Sequence, residues 1–287
     1  MTSSHENEWV LVTGASTGMG AATARELARR GYHVLAGVRR PGDAVRTDRI
    51  EPVLLDITQP ESIAAVVARV DGEARRLVTL VNNAGISVNS PVETLPLAQW
   101  RRQFEVNLFG HIAMTQAMLP FLRRSNGRVV NISSIGGKVA LPTYGAYAGS
   151  KFALEAVSDA LRRELAPQGV SVVVVEPGGV QTEMVGRAGT VASDLLAEMS
   201  AEQRGRYGNL VTAAIDHATD FTADGVTAER AARTIAKAAT AARPKARYTI
   251  GRDAAVLTRV ARVLPDRILD RILARNLQPF YPSAQGA

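Results

Sequence analysis

Tyr147 stands four residues before Lys151 in the stretch Tyr144-Gly-Ala-Tyr-Ala-Gly-Ser-Lys151, and Ser134 lies thirteen residues upstream of that tyrosine, at the end of an apolar run. On a helix, a spacing of four places two side chains on one face within reach of each other. A free phenol has a pKa of about 10 and carries protons poorly at neutral pH, but a neighbouring ammonium favours the phenolate. A serine hydroxyl beside the pair can hydrogen-bond a carbonyl or alcohol oxygen while the tyrosine moves the proton. The three together suit proton transfer coupled to hydride transfer. Ser133 competes with Ser134 for the hydroxyl role, whereas Tyr144 lacks the offset to Lys151 that Tyr147 has.

A second group of residues points to the source of the hydride. Thr13-Gly-Ala-Ser-Thr-Gly-Met-Gly20 falls where the first apolar run gives way to the first amphipathic stretch. Gly14, Gly18 and Gly20 permit a tight turn and a close backbone approach, and the amides at the start of the following helix can receive a pyrophosphate, with Ser16, Thr17 and Met19 between the glycines. The pattern is G-x-x-x-G-x-G rather than G-x-G-x-x-G. The next strand ends Gly37-Val38-Arg39-Arg40-Pro41, with no acid at its tip to accept from ribose hydroxyls. Arg39, helped by Arg40, can fork onto a 2′-phosphate, so the expected cofactor is NADP(H).

Both groups require a frame to hold them. Short β-rich runs over 9–12, 32–36, 52–55, 77–81, 128–132 and 171–175 alternate with helical periodicity over 19–30, 62–70, 97–108, 111–123 and 147–166. Four consecutive valines at 172–175 suit a parallel strand buried on both faces. Such alternation specifies an α/β, doubly wound parallel sheet of about seven strands with helices on both sides. A further helix over 227–241 and a strand over 247–250 follow. With no repeat and no low-complexity linker, 1–287 reads as a single domain. Residues of about 182–226, rich in Gly, Ala, Ser and Thr, suit a variable lid over the substrate or a plain helical connection. A helical extension from about 252 carries an apolar stripe, restarting after Pro265 with Ile268, Leu269, Ile272 and Leu273 against arginines, and is expected to pack on the body or a second subunit.

The composition excludes several classes. A hydrophobic content of 46% supplies a core, and the absence of cysteine removes disulfides, thiolate catalysis and Cys-ligated metals; no metal site is expected. The net charge of +7 is spread along the chain with little aromatic interleaving, which argues against nucleic acid. The first eight residues have no basic or apolar signal region and no stretch has the length of a membrane span, so a cytoplasmic protein without membrane association is expected.

Taken together, Thr13 to Gly20, Asp56, Asn82-Asn-Ala-Gly85, Asn107, Ser134, Tyr147, Lys151 and Pro177-Gly178 resemble the short-chain dehydrogenase/reductase family in its simple one-domain, Rossmann-type form. The resemblance implies that Tyr147 is the general acid in reduction and base in oxidation. Lys151 would bind the nicotinamide ribose and lower the tyrosine pKa, Ser134 rather than Ser133 would orient the substrate oxygen, and Asn107 would hold a water in a proton relay. Asp56 would accept from the adenine amino group and Ile57 pack on the base, with Asn83, Ala84 and Gly85 on the adenosine side. Pro177, Gly178 and Val180 would turn the chain beside the nicotinamide, and Thr182 would bond its carboxamide. The alternatives are a buried brace for Asn107, a helix cap for Asp56 and an N-cap for Thr182.

The implied activity is interconversion of a carbonyl and a secondary alcohol, and similarity to the hydroxysteroid and retinol dehydrogenase branch suggests a bulky hydrophobic substrate. Met184, Val185, Leu195, Leu196, Met199, Tyr207, Leu210, Val211 and Phe221 are its candidate walls. A homodimer or homotetramer built on the two helices near 111–123 and 147–166 is usual for the family. Two other readings exist: a non-catalytic NADP-binding sensor or scaffold, which does not need Tyr147, Lys151 and Ser134 together, and an epimerase or dehydratase that uses a tightly held nicotinamide.

Overall fold

The computed structural model describes residues 5–281 apart from 41, 44, 45, 73 and 262. Residues 1–4, Pro41 and the extension's 282–287 therefore lie outside the described residues.

The strands are β1 (Glu8–Val12), β2 (His33–Val38), β3 (Ile50–Leu54), β4 (Arg76–Asn82), β5 (Arg128–Ile132), β6 (Ser171–Pro177), β7 (Val180–Gln181), β8 (Val226–Thr227) and β9 (Arg247–Ile250). Between and after them come α1 (Gly18–Arg29), α2 (Pro60–Asp71), α3 (Leu97–Phe104), α4 (Gly110–Ser125), α5 (Gly145–Leu165), α6 (Glu183–Ala197), α7 (Ala201–Ala223), α8 (Ala228–Thr240), α9 (Arg252–Val260) and α10 (Asp266–Leu277). Seven strands form one parallel sheet in the order β3-β2-β1-β4-β5-β6-β9, and β7 pairs with β8 separately. This is the doubly wound Rossmann-type frame. Pro52 sits in β3, where the sheet edge leaves one side of the strand free and a missing N–H is tolerated.

Alternate residues of each strand feed two cores, which is why the strands are continuously apolar rather than half polar. Val10, Val12, Val34, Ala36, Val130, Ile132, Val173 and Val175 face α1 and α8. Trp9, Leu11, Leu35, Val129 and Val172 face α2 and α4. Burying a Val or Leu side chain contributes roughly 1.5–3 kcal/mol.

Two elements differ from their sequence patterns. The stretches over 97–108 and 111–123 are not separate helices: α3 runs into α4 through a π turn, Glu105–Phe109, whose extra residue per turn points Asn107 inward. The region about 182–226 is folded as α6 and α7, the latter opened by a Ser200–Gln203 capping box. In the tail, Leu257, Leu273 and Leu277 turn inward while Val256, Ile268 and Ile272 are exposed. No helix among the described residues is long and apolar enough to cross a membrane.

Candidate active site

The strand order reverses between β1 and β4, and a crevice opens beyond their carboxyl ends, where a doubly wound sheet receives ligands. Gly14 and Gly18 adopt φ of +65° and +54°, and a Cβ on Gly20 would come within 2.2 Å of the Gly14 carbonyl oxygen. The loop is tied to β4: Asn83 Nδ2 donates to the Thr13 and Gly14 carbonyls at 3.0 Å each, and the amides of Asn83 and Ala84 donate to Thr13 Oγ1 at 3.0 Å each. The resulting groove has a volume of about 590 Å³ and is lined by Gly14, Ser16, Thr17, Gly18, Met19, Gly20, Arg39, Asp56, Ile57, Asn83, Ala84, Gly85 and Thr182, all expected there. Arg40 departs from expectation. It does not line the groove but pairs with Asp43 at 3.2 Å, leaving Arg39, which has no acidic partner among the described residues, as the cation on that lip.

These residues fit a phosphorylated dinucleotide: a cradle that only glycines leave open, helix amides at its floor and a free guanidinium where a 2′-phosphate would lie. Asp56 accepts from the Thr58 amide at 2.9 Å and hydroxyl at 2.7 Å while still facing the groove. Thr182 occupies the N-cap position of α6, yet its side chain makes no cap bond.

Helix α5 brings Tyr147 and Lys151 together, with Nζ 6.0 Å from the phenol ring centroid. Lys151 Nζ donates to the Ile132 carbonyl at 2.8 Å, and burial pushes its pKa down to about 8 against the opposing charge of Glu155. Ser134 follows β5 by two residues, its hydroxyl accepting from the Gly136 amide at 3.0 Å and working against the rise of the Tyr147 pKa. A Cβ on Gly136 would sit 3.0 Å from the Tyr147 ring, so that glycine leaves room for the phenol. Ser133 Oγ, in contrast, is buried without a partner among the described residues. The expected acidification of Tyr147 by Lys151 is not what governs here: burial raises the phenol pKa, and it is the Ser134 hydrogen bond that works downward. The ammonium is engaged with a carbonyl, and dehydration of the phenolate outweighs the rest.

Asn107 spends its amide on bracing. Its Oδ1 accepts from the Ile86 amide and its Nδ2 donates to the Ile86 carbonyl, both at 2.9 Å, with Ser150 Oγ at 3.3 Å. Behind it His111 Nε2 donates to the Ala84 carbonyl at 2.7 Å, and burial lowers the ring pKa to about 3, keeping it neutral.

A second cavity of about 310 Å³ adjoins the groove, sharing with it Met19, Asn83, Gly85, Thr182 and Met184. Ser134, Tyr144, Tyr147, Lys151, Pro177, Gly178 and Val180 line it. Of the candidate walls, Met184, Val185, Val211 and Phe221 are present. The others do not line it: Leu195 packs with Val88, Leu95 and Ala146, and Leu196, Met199 and Tyr207 hold α6 to α7. Leu210 is also absent from the lining. Periodicity gives a helix its apolar side but not which part of that side meets a ligand. The sequence reading missed Val139, Leu141, His217, Leu273, Asn276 and Leu277 of the cavity, and Arg102 and Arg187 of the groove. The tail residues carried a signal in their apolar stripe; the arginines carried none.

A sequence profile described as short chain dehydrogenase matches residues 8–191. The Escherichia coli (strain K12) protein named uncharacterized oxidoreductase YbbO is 36% identical over 271 residues, covering 92% of this chain and 93% of its own. Retinol dehydrogenase 16 of Mus musculus is 36% identical over 285 residues, covering 93% and 88%. Among solved structures, a short chain dehydrogenase from Burkholderia cenocepacia J2315 in complex with NADP superposes with a TM-score of 0.72 at 27% identity, over 94% of this chain and 97% of that one.

Proposed function

The chain belongs to the short chain dehydrogenase family, an oxidoreductase family, and from that premise we propose that it uses NADP(H) to interconvert a carbonyl and a secondary alcohol on a bulky hydrophobic substrate. The observation that carries this reading is the continuity of the glycine-floored groove with the apolar cavity, Tyr147 and Ser134 standing in the cavity wall. The NADP complex of the Burkholderia cenocepacia relative and the unpaired Arg39 support the phosphorylated cofactor. The retinol dehydrogenase relative and the apolar walls support the substrate class.

The nicotinamide supplies or accepts the hydride when bound. Ser134 and Tyr147 hold the substrate oxygen, and Tyr147 donates its proton to that oxygen in reduction or takes it back in oxidation. Lys151 presents its charge beside the phenol and has protons left to donate to ribose hydroxyls. Pro177, Gly178 and Val180 shape the turn after β6, and Gly178 is pinned by its amide to the Ile250 carbonyl at 2.9 Å. Asn107 fixes the Ile86 backbone that both compartments share, so its contribution is to hold the junction.

Helix α6 works as the lid: Met184, Arg187 and Ala188 line the groove, and Leu195 rests on Val88 and Leu95 of the opposite lip. The exposed Phe109 and Phe152, near and on the two long helices, suit a homodimer or homotetramer. Tyr147→Phe is expected to lower turnover at least a thousandfold while NADPH still binds, as followed by the cofactor's fluorescence; retained turnover would refute the proton role.

A further inference from the structure

Among the described residues, the cavity wall contributed by α7 and α10 carries His217 and Asn276, whose side chains have no hydrogen-bond partner. His217 is half-buried and has no hydrogen-bond partner among the described residues. Its ring is held by aromatic contacts instead, stacked on Phe221 at 6.1 Å and 8° and set edge-on to Phe280 at 5.2 Å and 89°. Asn276, exposed beside the buried Leu277, also borders the cavity and has no side-chain partner among the described residues. A half-buried histidine whose ring nitrogens meet no partner among the described residues, set in a largely apolar wall, is placed to bond a polar group that enters the space before it. The catalytic groups come from a different wall, built by β5 and α5.

We propose that His217, assisted by Asn276, is a specificity-determining residue that holds a second, neutral hydrogen-bonding group of the substrate, remote from the carbon that reacts at Tyr147. This rests on the carbonyl and alcohol reading above and narrows it: the substrate has an apolar body with an oxygen function at each of two separated positions. Neutrality follows from the lining, where among the described residues Lys151 is the only fully charged side chain and burial lowers the His217 pKa despite the nearby Asp220. An imidazole can donate through one nitrogen and accept through the other, and the Asn276 amide does both, so either a hydroxyl or a carbonyl fits.

The test compares a polycyclic monoketone with the same skeleton bearing a remote hydroxyl. One net hydrogen bond predicts a preference of about tenfold in kcat/KM for the hydroxy-ketone, expressed in KM. His217→Leu should bring the two substrates within about threefold, chiefly through KM for the hydroxy-ketone, and His217→Gln, which keeps an acceptor and donors, should restore most of the preference. A wild-type protein that does not distinguish the two, or a His217→Leu variant that keeps the full preference, overturns the proposal. Calorimetric titration of both ketones onto the protein saturated with NADPH reads the same difference as affinity. If neither ketone is reduced, the carbonyl reading fails while binding still decides on His217: tighter binding of the hydroxy-ketone, lost in His217→Leu, supports it, and equal or unmeasurable binding overturns it.

Discussion

At the scale of single residues, the proton chemistry is set by dehydration. Tyr147 is kept in its acid form by burial, so it is ready to donate across the neutral range, whereas Lys151 loses its charge as pH rises through about 8. Reduction is therefore expected to show a kcat/KM that is flat through neutrality and falls above a pH of about 8. The charge of Glu155 raises the Lys151 pKa, so Glu155→Gln should move that fall to lower pH; a pH–rate profile unchanged by the substitution would contradict the assignment. Arg39→Asp removes the unpaired guanidinium and places a carboxylate where ribose hydroxyls would bond. The NADPH/NADH ratio of kcat/KM should drop by about tenfold to a hundredfold, as expected for a charged hydrogen bond. These residues were legible in the sequence because their types and spacings are themselves the chemistry. The side on which Arg40 would lie was not legible, since it depends on whether Asp43 captures it.

At the scale of elements, the site is clamped from below by a buried charge cluster. Glu155 of α5 takes Lys138 Nζ at 2.6 Å and Arg247 of β9 at 2.9 Å, and Arg247 Nε also reaches Glu176 of β6 at 3.1 Å. One guanidinium thus joins the helix that carries Tyr147 and Lys151, the strand leading to Pro177 and the outer strand of the sheet. Arg247→Ala leaves two nearly inaccessible carboxylates sharing Lys138 and is expected to cost about 3 kcal/mol. Glu176→Gln should cost far less, because burial and the repulsion of Glu155 already raise the Glu176 pKa. Denaturant titration of the two variants checks the contrast; equal losses would mean the cluster is not organised around Arg247. The alternation of strands and helices foretold most boundaries within a few residues. It did not foretell the π turn at Glu105–Phe109, whose extra residue is fixed by the inward bonds of Asn107 rather than by any local pattern.

At the scale of the whole molecule, two compartments of unlike character share a wall. The floor of the nucleotide groove is assembled by β1, β2, β4 and the loops after them, and the apolar cavity is completed by α7, α9 and α10, more than 100 residues later in the chain. The first was readable because backbone conformation and charge are written locally; the second was not, because its walls come from helices whose mutual placement no local pattern specifies. A chain ending before Arg252 should still bind NADPH but should lose most discrimination among hydrophobic ketones and melt at a lower temperature, checked by cofactor fluorescence and calorimetry. An unchanged substrate preference would show that α9 and α10 are not part of the chamber. The parallel pairing of β6 with β9 has a consequence for the ribosome as well. Until residues 247–250 have emerged, the Val174–Pro177 edge of β6 presents an unsatisfied rim to other nascent chains, and open rims of that kind invite stray strands. The last strand is therefore also a seal against aggregation, and slow translation between 177 and 247 would leave the protein most in need of a chaperone.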